Sequence, residues 1–217
     1  MRGRAALLLI FATCSIYTTE AQTLPVVQAV AKPGFLSSPI DFTEDVVPVE
    51  LLEFLPGCSW YCGVSIDTVY ASSTLESSGS NRYDAINAHD FDWRTAWVEG
   101  VEGDGIGESL TYVFDFTSEP NWKRGLTTLL IANGYKKNER VWQANGRVSS
   151  LRVYIDNHSV ADVNLIDTAE IQTVSLTEIP LGGQRISVRF EITGVYPGTR
   201  YADTAISLLM FDGTGVH

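Results

Sequence analysis

Apolar and polar residues alternate along most of the chain after residue 64, and this period of two most constrains the fold. Successive side chains of a β-strand point to opposite faces, so the alternation predicts half-buried strands. It is clearest at residues 110–116 and 186–192. No window carries the i, i+3, i+4, i+7 spacing over enough residues to predict a helix. Short strands separated by turn residues predict an all-β fold, either an antiparallel sandwich or a jelly roll.

Charge and hydropathy exclude two classes of partner. The 217 residues include 45% hydrophobic residues, which indicates a globular chain. The formal net charge is −11, and no basic patch is visible, so we expect no nucleic-acid partner. No apolar run is long enough for a membrane span.

The first 21 residues have the organisation of a secretory signal peptide. Arg2 and Arg4 precede an apolar stretch at residues 5–12, and small residues lead to a cleavage site before Gln22. We therefore expect a secreted or periplasmic protein, with a lipoprotein processed at Cys14 as the alternative. If the host glycosylates secreted proteins, Asn157 begins a formal N-glycosylation sequence.

The chain after the signal peptide divides into two parts. Residues 22–57 are punctuated by five prolines and predict an irregular extension, in which short apolar runs such as Val26-Val27 lie against the main domain. Residues 58–217 carry the strand pattern and form the domain. Cys58 and Cys62 are the cysteines that remain, and an oxidising compartment favours a disulfide between them. A redox pair or half of a metal site are the alternatives.

The stretch from Tyr83 to Glu108 is too rich in glycine and aspartate for a helix and too rich in tryptophan for a solvated linker. Asp90, Asp92 and Thr95 predict a turn with converging oxygens, and Trp97 follows as a buried anchor. Four glycines between residues 100 and 107 predict backbone with positive φ or close approach. We interpret the stretch as the rim of a β-sandwich, where such domains build their sites.

Six ordered pieces of the sequence resemble a known family. The resemblance runs from roughly Cys58 to Asp212. It is carried by Cys58-Ser59-Trp60-Tyr61-Cys62-Gly63, Ala71-Ser72-Ser73-Thr74-Leu75, Asp90 to Gly100, Gly103-Asp104-Gly105-Ile106-Gly107-Glu108, Asn133-Gly134-Tyr135-Lys136-Lys137 and Asn145-Gly146-Arg147-Val148. Together they resemble the NADase-type glycan-binding domain, a discoidin-like (galactose-binding-like) jelly-roll β-sandwich. The resemblance implies binding of a glycan or another surface ligand at the loop rim, without catalysis.

The resemblance also implies a structural Ca²⁺ at the turn. The corresponding donors here are Asp90, Thr95 and the backbone carbonyls of Asn87 and Asp92, which are hard oxygen ligands. The chain departs from the family pattern twice: Phe91 replaces a glycine, and Leu208 stands where many relatives have a glutamate. A turn held by the hydrogen bonds of Asp90 and Asp92 alone is the alternative.

Aromatic and polar residues on the predicted loops are candidates for sugar contacts. An aromatic face stacks on the apolar side of a sugar ring, and planar polar groups bind its hydroxyls. Tyr196 and Arg200 also lie on loops, and each aromatic has core packing as its alternative role. The strongest group lies at residues 133–145. The candidate ligand-binding residues are Trp93, Arg94, Tyr135, Lys137, Arg140, Trp142 and Asn145.

Three functions from different classes follow from these patterns. A secreted, non-catalytic carbohydrate-binding module is the first. A structural or protein-partner-binding domain of an envelope complex is the second. The third is a glycoside hydrolase, for which Glu99 and Glu108 would supply the acid and base. The alternative, structural interpretation is that these carboxylates are solvated or hydrogen-bonded to the backbone.

Overall fold

The computed structural model describes residues 23–31, 60–62, 64, 66–92, 94–118, 123–181 and 185–215. The predicted signal peptide, most of the extension, Cys58 and Trp93 lie outside these residues, as does the side chain of Cys62. The Cys58–Cys62 disulfide therefore stays a prediction.

Strands dominate the described residues, which confirms the prediction of an all-β fold. One α-helix, α1 (Glu139–Ala144), and two 3₁₀ helices (Trp60–Cys62 and Ala85–Ala88) accompany them. The eleven described strands are β1 (Val26–Gln28), β2 (Val30–Ala31), β3 (Ile66–Ala71), β4 (Trp97–Val98), β5 (Ser109–Asp115), β6 (Arg124–Asn133), β7 (Gly146–Ile155), β8 (His158–Asn164), β9 (Ile171–Leu181), β10 (Arg185–Tyr196) and β11 (Thr204–Thr214).

The strands follow the order β2-β9-β6-β11-β7-β10-β5-β3. We divide this path into two halves, one with β2, β9 and β6 and the other with β7, β10, β5 and β3, and β11 joins them. Its first residue, Thr204, pairs in parallel with Gly146 of β7, whereas from Leu208 onward it pairs antiparallel with β6. The strand therefore belongs to one half at its start and to the other half along the rest of its length.

Aromatic side chains show that the two halves pack face to face. The ring of Phe211 on β11 lies 4.8 Å from the ring of Tyr112 on β5 and 5.8 Å from that of Phe190 on β10. Neither β5 nor β10 is a hydrogen-bonded neighbour of β11, so these contacts cross the core. All three rings are buried. The architecture is a β-sandwich, as the alternation of β5 and β10 predicts.

Strand β3 departs from the predicted alternation. The sequence places Tyr70 on the same face as Ile66, but the pairing with β5 shifts register between Ile66 and Thr68. An extra residue at such a bulge exchanges the two faces of the strand beyond it. Val69 and Ala71 consequently pack against the core, and Tyr70 is 50% exposed.

The start of the predicted extension is regular in structure. β1 pairs in parallel with β8, and β2 pairs antiparallel with β9. Val27 packs against the core, as expected for the Val26-Val27 run, whereas Val26 is exposed. Among the described residues, no helix has the length and hydropathy needed to cross a membrane.

The strand order brings several connections together at one end of the sandwich. β6 and β10 end there, and β7 and β11 begin there, since Tyr196 pairs with Arg147 and Thr204 pairs with Gly146. β4 joins the same end, because Val98 pairs with Ala205. The connections that meet at this end form the cleft described next.

Candidate ligand-binding site

A cleft of about 480 Å³ opens at this end of the sandwich. Its volume lies within the range of small-molecule binding sites. The three connections β3–β4, β6–β7 and β10–β11 supply nearly all of its lining. The lining residues are Leu75, Asn81, Tyr83, Val98, Tyr135, Lys137, Asn138, Arg140, Val141, Ala144, Asn145, Arg200, Tyr201 and Asp203.

The floor of the cleft is apolar. Tyr135 and Val98 are buried in a small cluster, against which Leu75, Tyr83 and Val141 pack. The rings of Tyr83 and Tyr135 meet edge to face at 6.2 Å. Burial raises the pKa of Tyr135 from 10.0 to about 12, still further above physiological pH. Its hydroxyl is neutral at that pH with either value and can donate a hydrogen bond.

Helix α1 forms one wall, and asparagines cap both of its ends. The side chain of Asn138 accepts a hydrogen bond from the amide of Val141 at 2.9 Å, and the side chain of Asn145 donates to the carbonyl of Val141 at 2.8 Å. The sequence predicts a loop here and no helix, which is wrong for residues 139–144. Six residues are too few to show helical periodicity. The two asparagine side chains form hydrogen bonds with backbone groups that the short helix would otherwise leave without a partner.

The β10–β11 connection forms a second wall and is hydrogen-bonded to the end of α1. The amides of Arg200 and Tyr201 donate to the carbonyl of Ala144 at 3.1 and 2.8 Å. This approach requires glycine at position 198, because a Cβ there would lie 2.4 Å from the same carbonyl oxygen. The side chain of Tyr201 is consequently held at the cleft while it stays 43% exposed.

Four of the seven candidate ligand-binding residues line this cleft, namely Tyr135, Lys137, Arg140 and Asn145. Trp142 packs elsewhere: its Nε1 donates to the carbonyl of Asn133 at 2.9 Å, and the guanidinium of Arg147 lies 4.8 Å from the centre of its ring. Arg94 is paired with Asp92 at 2.8 Å.

Ten of the fourteen lining residues were not among the seven candidates, and Leu75, Asn81, Tyr83, Tyr201 and Asp203 are five of these ten. They lie on connections that are far apart in sequence, so local pattern does not group them. The Pro197-Gly198 pair predicts a turn just before Tyr201. This turn was the sequence feature that could have identified Tyr201 as a loop residue.

The oxygens that the resemblance assigns to a cation do converge. The hydroxyl oxygen of Thr95 lies 2.7 Å from Asp90 Oδ2, 2.7 Å from the carbonyl oxygen of Asp92 and 3.5 Å from that of Asn87. Burial raises the pKa of Asp90. The Arg94 side chain lowers the pKa of Asp92, whose carboxylate is engaged with that residue. Asp90 is therefore the one carboxylate of the predicted donor set that faces Thr95.

The two departures from the family pattern lie in one apolar cluster. Phe91 packs against the cluster that contains the fully buried Leu208. Phe91 has a φ of +63°, a conformation that favours glycine and explains why a glycine is usual there. No group of three or more His, Cys, Asp or Glu side chains that could hold a metal occurs among the described residues.

The carboxylates proposed for a hydrolase are engaged in structural hydrogen bonds. Glu99 is fully buried and accepts from the amides of Thr204 and Val101 at 3.0 and 2.9 Å. Glu108 accepts from the hydroxyl of Ser72 at 2.5 Å. Neither carboxylate lines the cleft. Glu99 connects the start of β11 to the glycine-rich loop, which matches the structural interpretation of these carboxylates.

The fold and the position of the cleft place the protein in the discoidin-like class of β-sandwich domains. Residues 60–212 match the family described as the NAD glycohydrolase translocation F5/8 type C domain, and the chain belongs to this family. This confirms the discoidin-like resemblance. A search among curated proteins gives no match to the chain.

Solved structures from Clostridium perfringens ZmpB have a similar fold. The chain is 13% identical to a structure of the CBM32-1, CBM32-2 and M60 catalytic domains, with a TM-score of 0.54 over 90% of this chain and 17% of that chain. The structure of the CBM32-1 and CBM32-2 domains gives 13% identity and a TM-score of 0.53 over 89% of this chain and 42% of that one. The same domains in complex with GalNAc give 13% and 0.52, over 89% and 41%. At this identity the similarity establishes the fold alone.

The buried Glu99 should make stability depend on pH. Burial raises the pKa of its carboxyl above the usual 4.5, so the folded chain binds its proton more tightly than the unfolded chain does. The resulting stabilisation is full below pH 4.5 and is lost as the pH rises through the folded pKa. Glu99→Gln removes this titration. The free energy of unfolding of the wild type minus that of the variant should therefore fall as the pH rises from 4.5 to 7, as measured by urea denaturation. A difference that stays constant or increases would contradict the assignment.

Proposed function

We propose that this protein binds a glycan in the cleft between α1 and the β10–β11 connection and does not transform it. The observation that carries the proposal is a preformed cleft with an apolar floor and an exposed aromatic side chain, Tyr201, at its wall. Polar side chains also line the cleft, including Asn81 and Asn145. Binding sites for small ligands combine apolar surface with a few placed polar groups in this way.

Tyr201 and its neighbours suit a sugar ring. The C–H face of a sugar packs against an aromatic ring, and amide and guanidinium groups bind its hydroxyls. The backbone of Tyr201 is held by the carbonyl of Ala144, so little conformational entropy is lost there when the ligand binds. The similar fold crystallised with GalNAc supports a glycan as the class of ligand.

The absence of catalysis is part of the proposal. Glu99 uses both carboxylate oxygens to accept backbone amides, and Glu108 accepts a serine hydroxyl. A glycoside hydrolase needs two carboxyl groups on either side of the scissile bond. Among the residues that the structure describes, Asp203 is the one acidic side chain that lines the cleft. This supports a binding module.

We extend the proposal to the whole chain as follows. Residues 1–21 are a signal peptide, residues 22–57 an extension and residues 58–217 the binding domain, in a secreted or periplasmic protein. Cys58 and Cys62 form a disulfide in that oxidising compartment. The chain covers 42% of the two-domain ZmpB structure, so a larger assembly of modules is compatible with this role.

A structural Ca²⁺ at the Asp90 turn is a further part of the proposal. Asp90, Thr95 and the carbonyls of Asn87 and Asp92 offer converging hard oxygens, so the residues present fit the ion. The ion would neutralise Asp90 and hold the turn. Because a single carboxylate contributes charge, we expect a dissociation constant of about 1 mM.

Calcium should therefore stabilise the fold modestly. At this affinity, 10 mM Ca²⁺ adds about 1.4 kcal/mol, a rise of a few degrees in the midpoint of thermal unfolding. The comparison is calcium chloride against EDTA in the wild type and in Asp90→Asn. The variant should show no calcium-dependent rise. Equal midpoints for the wild type in both buffers would mean that hydrogen bonds alone hold the turn.

Truncation of Tyr201 tests the binding site directly. On a glycan array, Tyr201→Ala should lose at least about tenfold in affinity for the bound glycan, or about 1.4 kcal/mol. Tyr70→Ala is the matched control, because Tyr70 is a half-exposed tyrosine on β3, and it should bind as the wild type does. Tyr135→Ala is less informative, since Tyr135 is buried in the floor.

Two outcomes would contradict the proposed function. One is unchanged binding by Tyr201→Ala, which would move the site away from the cleft. The other is a folded wild type that binds no glycan on the array. Recovery of a stable protein partner in that case would favour the envelope-complex alternative.

A further inference from the structure

The charge of the cleft is opposite to that of the protein. The chain has a formal net charge of −11, yet the described residues that line the cleft include three cations, Lys137, Arg140 and Arg200, and one carboxylate, Asp203. All three cationic residues are exposed. The proposed binding site therefore has an excess of positive charge, although acidic residues outnumber basic residues in the chain.

Most of the described arginines outside the cleft differ from those that line it, although Arg82 also pairs with no carboxylate and donates to the carbonyls of Gly79 and Asn81. Five of them are paired with carboxylates of the protein. These pairs are Arg94 with Asp92, Arg147 with Asp167, Arg152 with Asp162, Arg185 with Asp67, and Arg189 with Glu191.

The cleft arginines have no such partner. Within the part of the chain that the structure describes, the guanidinium groups of Arg140 and Arg200 make no ion pair and no hydrogen bond, and that of Arg200 lies 4.9 Å from the centre of the Tyr201 ring. The Lys137 Nζ donates to the neutral amide oxygen of Asn81 at 2.8 Å. The positive charge of the cleft is therefore available to a ligand.

The geometry of the guanidinium group indicates which anions would use it. Its planar fork of N–H donors matches the oxygens of a carboxylate or a sulfate and forms paired hydrogen bonds with them. An isolated surface pair contributes little, but these two arginines stand on both walls of one cleft. An anionic group that reaches both guanidinium groups would interact with two cations instead of one. The negative net charge of the chain disfavours the binding of an anion at other surfaces.

We propose that the ligand of the cleft is an acidic sugar, with a carboxylate or sulfate bound between Arg140 and Arg200 and its ring against Tyr201. This inference rests on the proposed function and adds the class of glycan to it. The uncharged part of the sugar still contacts the apolar floor. The anionic group supplies the preference over neutral sugars.

Matched ligand pairs test the inference by isothermal titration calorimetry. The first pair is a trigalacturonate and a neutral galactotriose, and the second is N-acetyllactosamine with and without a 6-sulfate. For at least one pair the acidic member should bind about tenfold more tightly at 50 mM NaCl, and this preference should shrink at 500 mM because salt screens the charges. The pair that shows the preference identifies a carboxylate or a sulfate as the anion.

Single variants assign the preference to the cleft. Arg140→Gln and Arg200→Gln should each lower the ratio of acidic to neutral affinity several-fold. Arg185→Gln changes the net charge by the same amount on an exposed arginine of β10 and should leave that ratio at the wild-type value. Equal thermal midpoints establish that the three variants are folded.

The outcomes separate this inference from the proposed function. Binding of neutral glycans without preference for the acidic members overturns the inference and leaves the proposed function standing. An equal fall in the ratio for Arg185→Gln also overturns it, because the effect would then come from net charge. Failure to bind any glycan overturns both.

Discussion

The contact of Phe211 with Tyr112 and Phe190 holds the two halves of the sandwich together, and the spacing between the halves depends on it. These rings come from strands that share no backbone hydrogen bonds, so side-chain packing sets the spacing of the halves. The beginning of β11 is fixed independently, because Glu99 accepts the amide of Thr204 and Thr204 pairs with Gly146. A well-ordered core and a fastened strand start together give the cleft a stable frame.

The cleft is a product of topology more than of any local motif. Its floor belongs to the fold, since Tyr135 and Val98 are buried there, whereas its walls come from α1 and the β10–β11 connection. Hydrogen bonds to the carbonyl of Ala144 lock the two walls to each other. A ligand would therefore meet a largely preformed surface, which favours binding and is consistent with a role that does not require catalytic carboxylates.

Sequence alone predicted the parts of the fold that obey a regular period. The alternation in β5 and β10 predicted two core strands, and the order of Asp90, Asp92 and Thr95 predicted the turn with converging oxygens. The bulge in β3 was missed because no residue type in the strand marks the position at which the pairing with β5 shifts register. Helix α1 was missed because it has only six residues. Tyr201 and Asp203 reach the cleft through tertiary contacts, which no local pattern reports.

The central claim is that ligand binding occurs between α1 and the β10–β11 connection. Amide chemical-shift mapping by NMR, during titration with a glycan selected on the array, tests it most directly. The account predicts that the largest shifts occur at residues 135–145 and 198–203, with little change along β1 and β8. Largest shifts on the β1–β8 side of the sandwich, with residues 198–203 unaffected, would contradict it.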